Sequence, residues 1–129
     1  MTATKTIAIV LAALAALLFA GAPAQAQGVY GALAISPSTG AYGFGYNYDT
    51  AAGARDRAMT ECRKHAQDCQ VYTQFQRQCI AIARAGNNAF GWALGYTGEE
   101  RTERALNECA GRNGTDCKIV TRFCSGATG

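Results

Sequence analysis

Histidine, proline and tryptophan are scarce in this 129-residue chain, which holds one His, two Pro and one Trp. A nucleophilic triad needs a base, and the single His65 lies among Arg63, Lys64 and Gln67 near a helix end, where a cation complements the helix dipole. Charge is sparse as well, at 16% of residues. Past residue 26, with Lys5 left behind, eleven basic side chains face nine acidic ones, too small an excess to specify nucleic acid or an anionic membrane as partner. No C-x-x-C is present for redox work, and one histidine leaves few ligands for zinc, so neither metal nor cofactor is expected. Gly40-x-x-Gly43-x-Gly45 lies inside a strand pattern, the wrong context for a phosphate loop. No later apolar run approaches the ~20 residues that cross a bilayer.

What is present begins with an export signal. Lys5 supplies a positive start, Ile7 to Ala20 is an uncharged apolar run of 14 residues, and Ala24-Gln25-Ala26 offers small residues for cleavage after Ala26. A run of that length is short for a membrane anchor, and no Lys or Arg follows until Arg55. Residues 1–26 therefore read as a signal peptide. Residues 27–129, 103 in number, read as a single domain that is secreted or periplasmic.

That domain is duplicated. Ala41-Tyr42-Gly43-Phe44-Gly45-Tyr46-Asn47-Tyr48 matches Ala89-Phe90-Gly91-Trp92-Ala93-Leu94-Gly95-Tyr96 at an offset of 48, Glu61-Cys62 matches Glu108-Cys109 at 47, and Asp68-Cys69 matches Asp116-Cys117 at 48. The units span about 28–78 and 79–124. Each reads strand, turn, strand, helix, strand. Ala32–Ser36 is an apolar strand, Ser36-Pro37-Ser38-Thr39-Gly40 is turn chemistry, and Tyr42–Tyr48 alternates with a period of two. Thr50 is an N-cap for a helix to about His65, and Gln70–Phe75 is a strand with Val71, Thr73 and Phe75 on one side. In the second unit Gly86-Asn87-Asn88 turns the chain. Thr97 and Glu100 form a capping box for a helix to about Ala110, and Lys118–Phe123 closes the unit. The expected fold class is α+β: two strand-strand-helix-strand units forming one mainly antiparallel sheet over a shared core, with both helices on one face. In the first strands, Leu33 aligns with either Ile80 or Ala81. The first helix carries a net charge of +2 and the second −2, either two ordinary solvated faces or a polarised surface that orients a partner.

Six cysteines in a short exported chain imply a disulfide framework. Cys62 and Cys69 bracket one helix end, Cys109 and Cys117 the equivalent end, so the duplication selects these two local pairs and leaves Cys79 to join Cys124. In the chain-entropy account an 8-residue loop contributes about 2.5 kcal/mol and a 46-residue loop about 4.

The aromatic pattern has two readings. Tyr42, Phe44, Tyr46 and Tyr48 share one strand face, and Phe90, Trp92, Leu94 and Tyr96 repeat it, with glycine, alanine or asparagine opposite. Either the rings pack beneath the alanine-rich helices as core, or the helices approach the glycine face and the rings form a platform for a ligand. Tyr46, Tyr48 and Tyr96, near the strand ends, are the candidate interaction surface. Asp49, Glu61, Glu99 and Glu108 are conceivable acids for glycosidic cleavage, yet each falls at a cap or on a polar helix face. Asn113-Gly114-Thr115 fits a glycosylation sequon and a turn equally well.

Tyr30-Gly31-Ala32-Leu33-Ala34-Ile35-Ser36-Pro37-Ser38-Thr39-Gly40, the helix ending Glu61-Cys62, the return to Asp68-Cys69, and Cys79 followed by Ile80 and Ile82 resemble bacterial exported proteins grouped as domain-of-unknown-function family 4189. The resemblance implies a small secreted or envelope-facing α+β domain with paired cysteines, and it supplies no catalytic motif. The second unit reads Arg84-Ala85-Gly86-Asn87-Asn88 at the turn, so a role tied to Ser-Pro-Ser-x-Gly belongs to the first unit only. The function expected from these residues is a non-enzymatic module that binds another protein or an envelope component. The alternatives are a small secreted hydrolase using surface carboxylates and a structural envelope protein.

Overall fold

The computed structural model describes residues 28–126; the expected signal peptide and its cleavage after Ala26 lie outside the described residues. The chain runs β1 (Tyr30–Ile35), β2 (Tyr42–Tyr48), α1 (Ala51–Arg63), β3 (Gln70–Gln76), β4 (Gln78–Arg84), β5 (Phe90–Leu94), α2 (Gly98–Gly111) and β6 (Lys118–Ser125). Both helices begin at threonine caps. Thr50 Oγ1 accepts the Gly53 N–H at 3.0 Å, and Thr97 with Glu100 closes a capping box.

The α+β class and the duplicated strand-strand-helix-strand unit are found, but the single sheet is not. Strands β2-β1-β3 form one antiparallel sheet and β5-β4-β6 a second. The reason lies in the central strands. Ala32 and Ala34 of β1 pack with Ala54, Ala58 and Cys62 of α1, while Leu33 and Ile35, on the other face, join Phe75, Ile80, Ile82 and Phe90. In β4 the alanines Ala81 and Ala83 meet Ala105 and Cys109 of α2, and Ile80 and Ile82 meet the first sheet. Each central strand is thus apolar on both faces, small residues toward a helix and large ones toward the other sheet. The order of layers is helix, sheet, sheet, helix. The helices lie on opposite outer faces rather than on one, and the shared core forms between the sheets.

Glycine sets how closely each helix approaches. A Cβ on Gly43 would lie 2.3 Å from the Ala58 carbonyl oxygen and 2.4 Å from the Cys62 nitrogen; on Gly91 it would lie 2.1 Å from the Ala105 oxygen and 2.3 Å from the Cys109 nitrogen. Disulfides Cys62–Cys69 and Cys109–Cys117 tie each helix end to the following strand, and Cys79–Cys124 joins β4 to β6.

The repeat register differs from both alignments expected for Leu33. Leu33 pairs with Phe44 and Thr73, and Ile82 pairs with Trp92 and Thr121, so Leu33 corresponds to Ile82. The third strands also depart from simple alternation. Register shifts leave Tyr72 and Val120 as extra residues, turning Val71 toward the helix side with Ala34 while Thr73 and Phe75 face the core with Leu33 and Gly31.

Candidate functional site

The aromatic rows follow neither simple reading. Glycines face the helices, and the large rings enter the space between the sheets. Phe123 of β6 stacks on Phe44 with centroids 4.6 Å apart and also contacts Tyr46 at 5.5 Å and Phe75 at 5.8 Å; Tyr42 meets Phe90 edge-on at 5.9 Å. Phe44 and Trp92 are only half-buried, because both belong to edge strands.

The three tyrosines selected from the sequence, Tyr46, Tyr48 and Tyr96, have different surroundings. Tyr46 keeps the ladder direction and is 47% exposed beside Phe123. At Asn47 the backbone turns left-handed, with φ 58°, and its N–H and Oδ1 bond Ser125 Oγ at 2.8 Å and the Gly126 N–H at 3.0 Å. That twist sends Tyr48 to the other side, against the alanine cluster of α1. Gly95 and Tyr96 are both left-handed, at φ 71° and 57°, held by Arg101 through their carbonyls at 2.8 and 3.1 Å. Tyr96, 58% exposed, lies beneath the Arg104 guanidinium at 3.9 Å.

Tyr46 and Tyr48 instead line a groove of about 540 Å³ along the outer edge of β2, together with Tyr42, Phe44, Arg57, Glu61 and His65. The backbone there is oriented by its pairing with β1. Ser36 N–H donates to the Ala41 carbonyl at 2.8 Å, so alternation directs the polar groups of Gly43 and Gly45 toward β1 and those of Tyr42 and Phe44 outward.

The equivalent edge of β5 is closed. Arg112 Nη1 donates to the outward Phe90 carbonyl at 2.9 Å, its guanidinium covers the Trp92 ring at 4.5 Å, and Glu108 approaches it at 3.7 Å. Arg112 is the third residue after Cys109, and the third residue after Cys62 is His65. Imidazole on a short stem replaces a long guanidinium, and β2 keeps its edge. Sequence reasoning singled out His65 but missed Arg112; the 47-residue offset that aligns the helix cysteines aligns these two as well.

A match to a family model covers residues 30–124. The chain belongs to the family described as Domain of unknown function, DUF4189. Neither the curated proteins nor the solved structures offer a match. In this family member the Ser-Pro-Ser-x-Gly turn is a structural lock: Ser36 is fully buried, its hydroxyl donates to Asp68 and accepts from Thr39, and the other Asp68 oxygen accepts the Ser38 N–H at 3.2 Å. The bonds from Ser36 and Ser38 hold the Asp68 carboxyl below its ordinary range.

The remaining carboxylates stay separate in role. Glu61 accepts from Lys64 and pairs with Arg57, each at 2.9 Å, and the Lys64 bond followed by the Arg57 charge keeps its carboxyl below the usual range. Asp49 is exposed in the turn before α1, Glu99 is exposed in the first turn of α2, and Glu108 accompanies Arg112. Among the described residues no cluster of three or more His, Cys, Asp or Glu could hold a metal, and no helix is long and apolar enough to cross a membrane.

Proposed function

We propose that this chain is an exported, non-enzymatic protein-binding module that receives an extended segment of its partner along the open edge of β2. The observation that carries the reading is the contrast between the two halves: Arg112 caps the β5 edge, while His65 leaves the β2 edge lined by Tyr42, Phe44 and Tyr46. An edge strand offers main-chain donors and acceptors to a second strand, and flanking rings add apolar contact area. Proteins normally blunt such edges, so one edge closed and its duplicate open favours use of the open one. Three disulfides suit an oxidising compartment outside the cytoplasm. Hydrolysis has weaker support, because a general acid needs a carboxyl held above its ordinary range and Glu61 is held below.

A photo-crosslinking residue placed at Tyr46 or at Tyr96 in the export host tests this reading. Adducts should form from position 46, be lost when His65→Arg closes the groove, and be far fewer from position 96. Equal labelling from both positions, or adducts that persist in His65→Arg, would refute it.

A further inference from the structure

The groove does not end at His65. At Tyr42 and His65, which line both, it adjoins a hollow of about 480 Å³ bounded also by Thr39, Ala41 and Arg84. Arg84 comes from β4, the central strand of the other sheet, so the hollow straddles the seam between the two halves. Its Nη2 donates to the Thr39 carbonyl at 3.4 Å and to Asn88 Oδ1 at 3.3 Å, and its Nε is enclosed without a hydrogen-bond partner. Gly40, at φ 72°, holds the turn tightly on this head: a Cβ there would lie 2.8 Å from Asn88 Oδ1 and 3.0 Å from Arg84 Nη2.

The charges along the groove are unequally matched. Glu61 is neutralised by Arg57 and Lys64. Arg84 has only neutral acceptors, and none of the ion pairs among the described residues includes it. A guanidinium positioned by two uncharged oxygens, beside an exposed imidazole, favours a carboxylate, which it binds through paired N–H donors.

We infer that the segment docking on β2 is acidic, and that an Asp or Glu side chain within it seats at Arg84. This rests on the proposed use of the β2 edge. An extended segment pairing with the outward groups of Tyr42 and Phe44 advances about 3.4 Å per residue, so a residue one or two positions beyond the Tyr42 pairing reaches the hollow. Charge complementarity selects the partner, and strand pairing supplies the main-chain contacts.

The test uses the oxidised, full chain purified from an export host, a displayed library of random heptapeptides flanked by fixed linkers, and synthetic versions of the enriched peptides. Enriched peptides should carry an Asp or Glu. Replacing it with Asn or Gln, or introducing Arg84→Gln, should weaken binding at least about ten-fold, with little further loss when both changes are combined. Arg84→Lys, which keeps the charge, should retain part of the affinity, and Arg104→Gln on α2 should change nothing. Backbone N-methylation at alternate peptide positions separates the two ideas. Peptides that lose binding on N-methylation but ignore Arg84→Gln would overturn the acidic partner and leave the edge. Peptides indifferent to N-methylation would overturn the edge itself, and so would a folded protein that enriches nothing. Affinity that depends on a free C-terminal carboxylate would move the anion from a side chain to a chain end and overturn the inference as stated. A concentration-dependent dimer abolished by His65→Arg would give the edge to a second copy.

Discussion

Phe44 of β2 and Phe123 of β6 stack with centroids 4.6 Å apart and planes 23° from parallel, bringing together rings from the two sheets. Phe123 also meets Tyr46 and Phe75, so one half-buried ring from the last strand contacts both edge strands of the first sheet. Phe123→Ala should destabilise the protein by about 2–4 kcal/mol, below the cost of emptying a fully enclosed phenylalanine site. Urea unfolding of the oxidised protein measures this. A loss under about 1 kcal/mol would remove Phe123 as a principal inter-sheet contact.

The glycines beneath the helices make a sharper steric prediction. Gly43→Ala and Gly91→Ala each force a methyl group onto helix backbone atoms, which cannot move aside as a flexible side chain does. Each should cost about 1–3 kcal/mol or more. Gly86→Ala is the control, since a Cβ added there would meet nothing within 4 Å. Thermal unfolding of the three variants should rank Gly86→Ala closest to the parent protein.

The duplication and the helix caps were legible because they depend on residues near one another in sequence. Thr50, Thr97 and the 47-to-48-residue spacing of matched pairs are such local signals. The second sheet was harder to see. In Ala32-Leu33-Ala34-Ile35 the alternation runs between small and large rather than apolar and polar, which marks a strand covered on both faces. Reading it as one-sided leads to a single sheet. The alternation within Tyr42–Tyr48 misled at its end, because left-handed Asn47 reverses the side on which Tyr48 falls. The groove's cationic end was invisible for another reason: Arg84 reaches Thr39 across 45 residues, and nothing local reports that contact.

The disulfides give an ordering. Cys79 and Cys124 are separated by 45 positions in the sequence, against 7 and 8 for the pairs at the helix ends. If restriction of the unfolded chain dominates, replacing both Cys79 and Cys124 with alanine should cost about 4 kcal/mol and replacing either local pair about 2.5. Equal losses in denaturant titrations would show that native-state contacts around the local bridges outweigh loop closure.

Acid should weaken the turn that Asp68 ties down. Asp68 has a folded carboxyl held below its unfolded value by Ser36 and Ser38, so its contribution is fully present above the unfolded value and fades as pH falls through the folded one. In unfolding series from about pH 5 down to pH 2, Asp68→Asn should flatten the acid-side decline. An undiminished slope in Asp68→Asn would assign the decline to other carboxylates.

Closure of the β5 edge by Arg112 can be read directly from the single tryptophan. The guanidinium covers the Trp92 ring at 4.5 Å while bonding the Phe90 carbonyl, and Tyr72 meets the ring edge-on at 5.5 Å. Arg112→His gives the second half the residue found in the first. The substitution should cost about 1–2 kcal/mol, since the cation–π contact and the Glu108 pair are half-exposed and the part-buried bond to the Phe90 carbonyl is lost. It should nevertheless uncover the indole, red-shifting its emission and raising its quenching by acrylamide, a neutral probe unaffected by the lost charge. His65→Arg should leave both Trp92 signals unchanged, because it acts on the other half. Quenching that stays the same in Arg112→His would mean that Arg112 does not shield this edge in solution, and the contrast between the two strands would lose its basis.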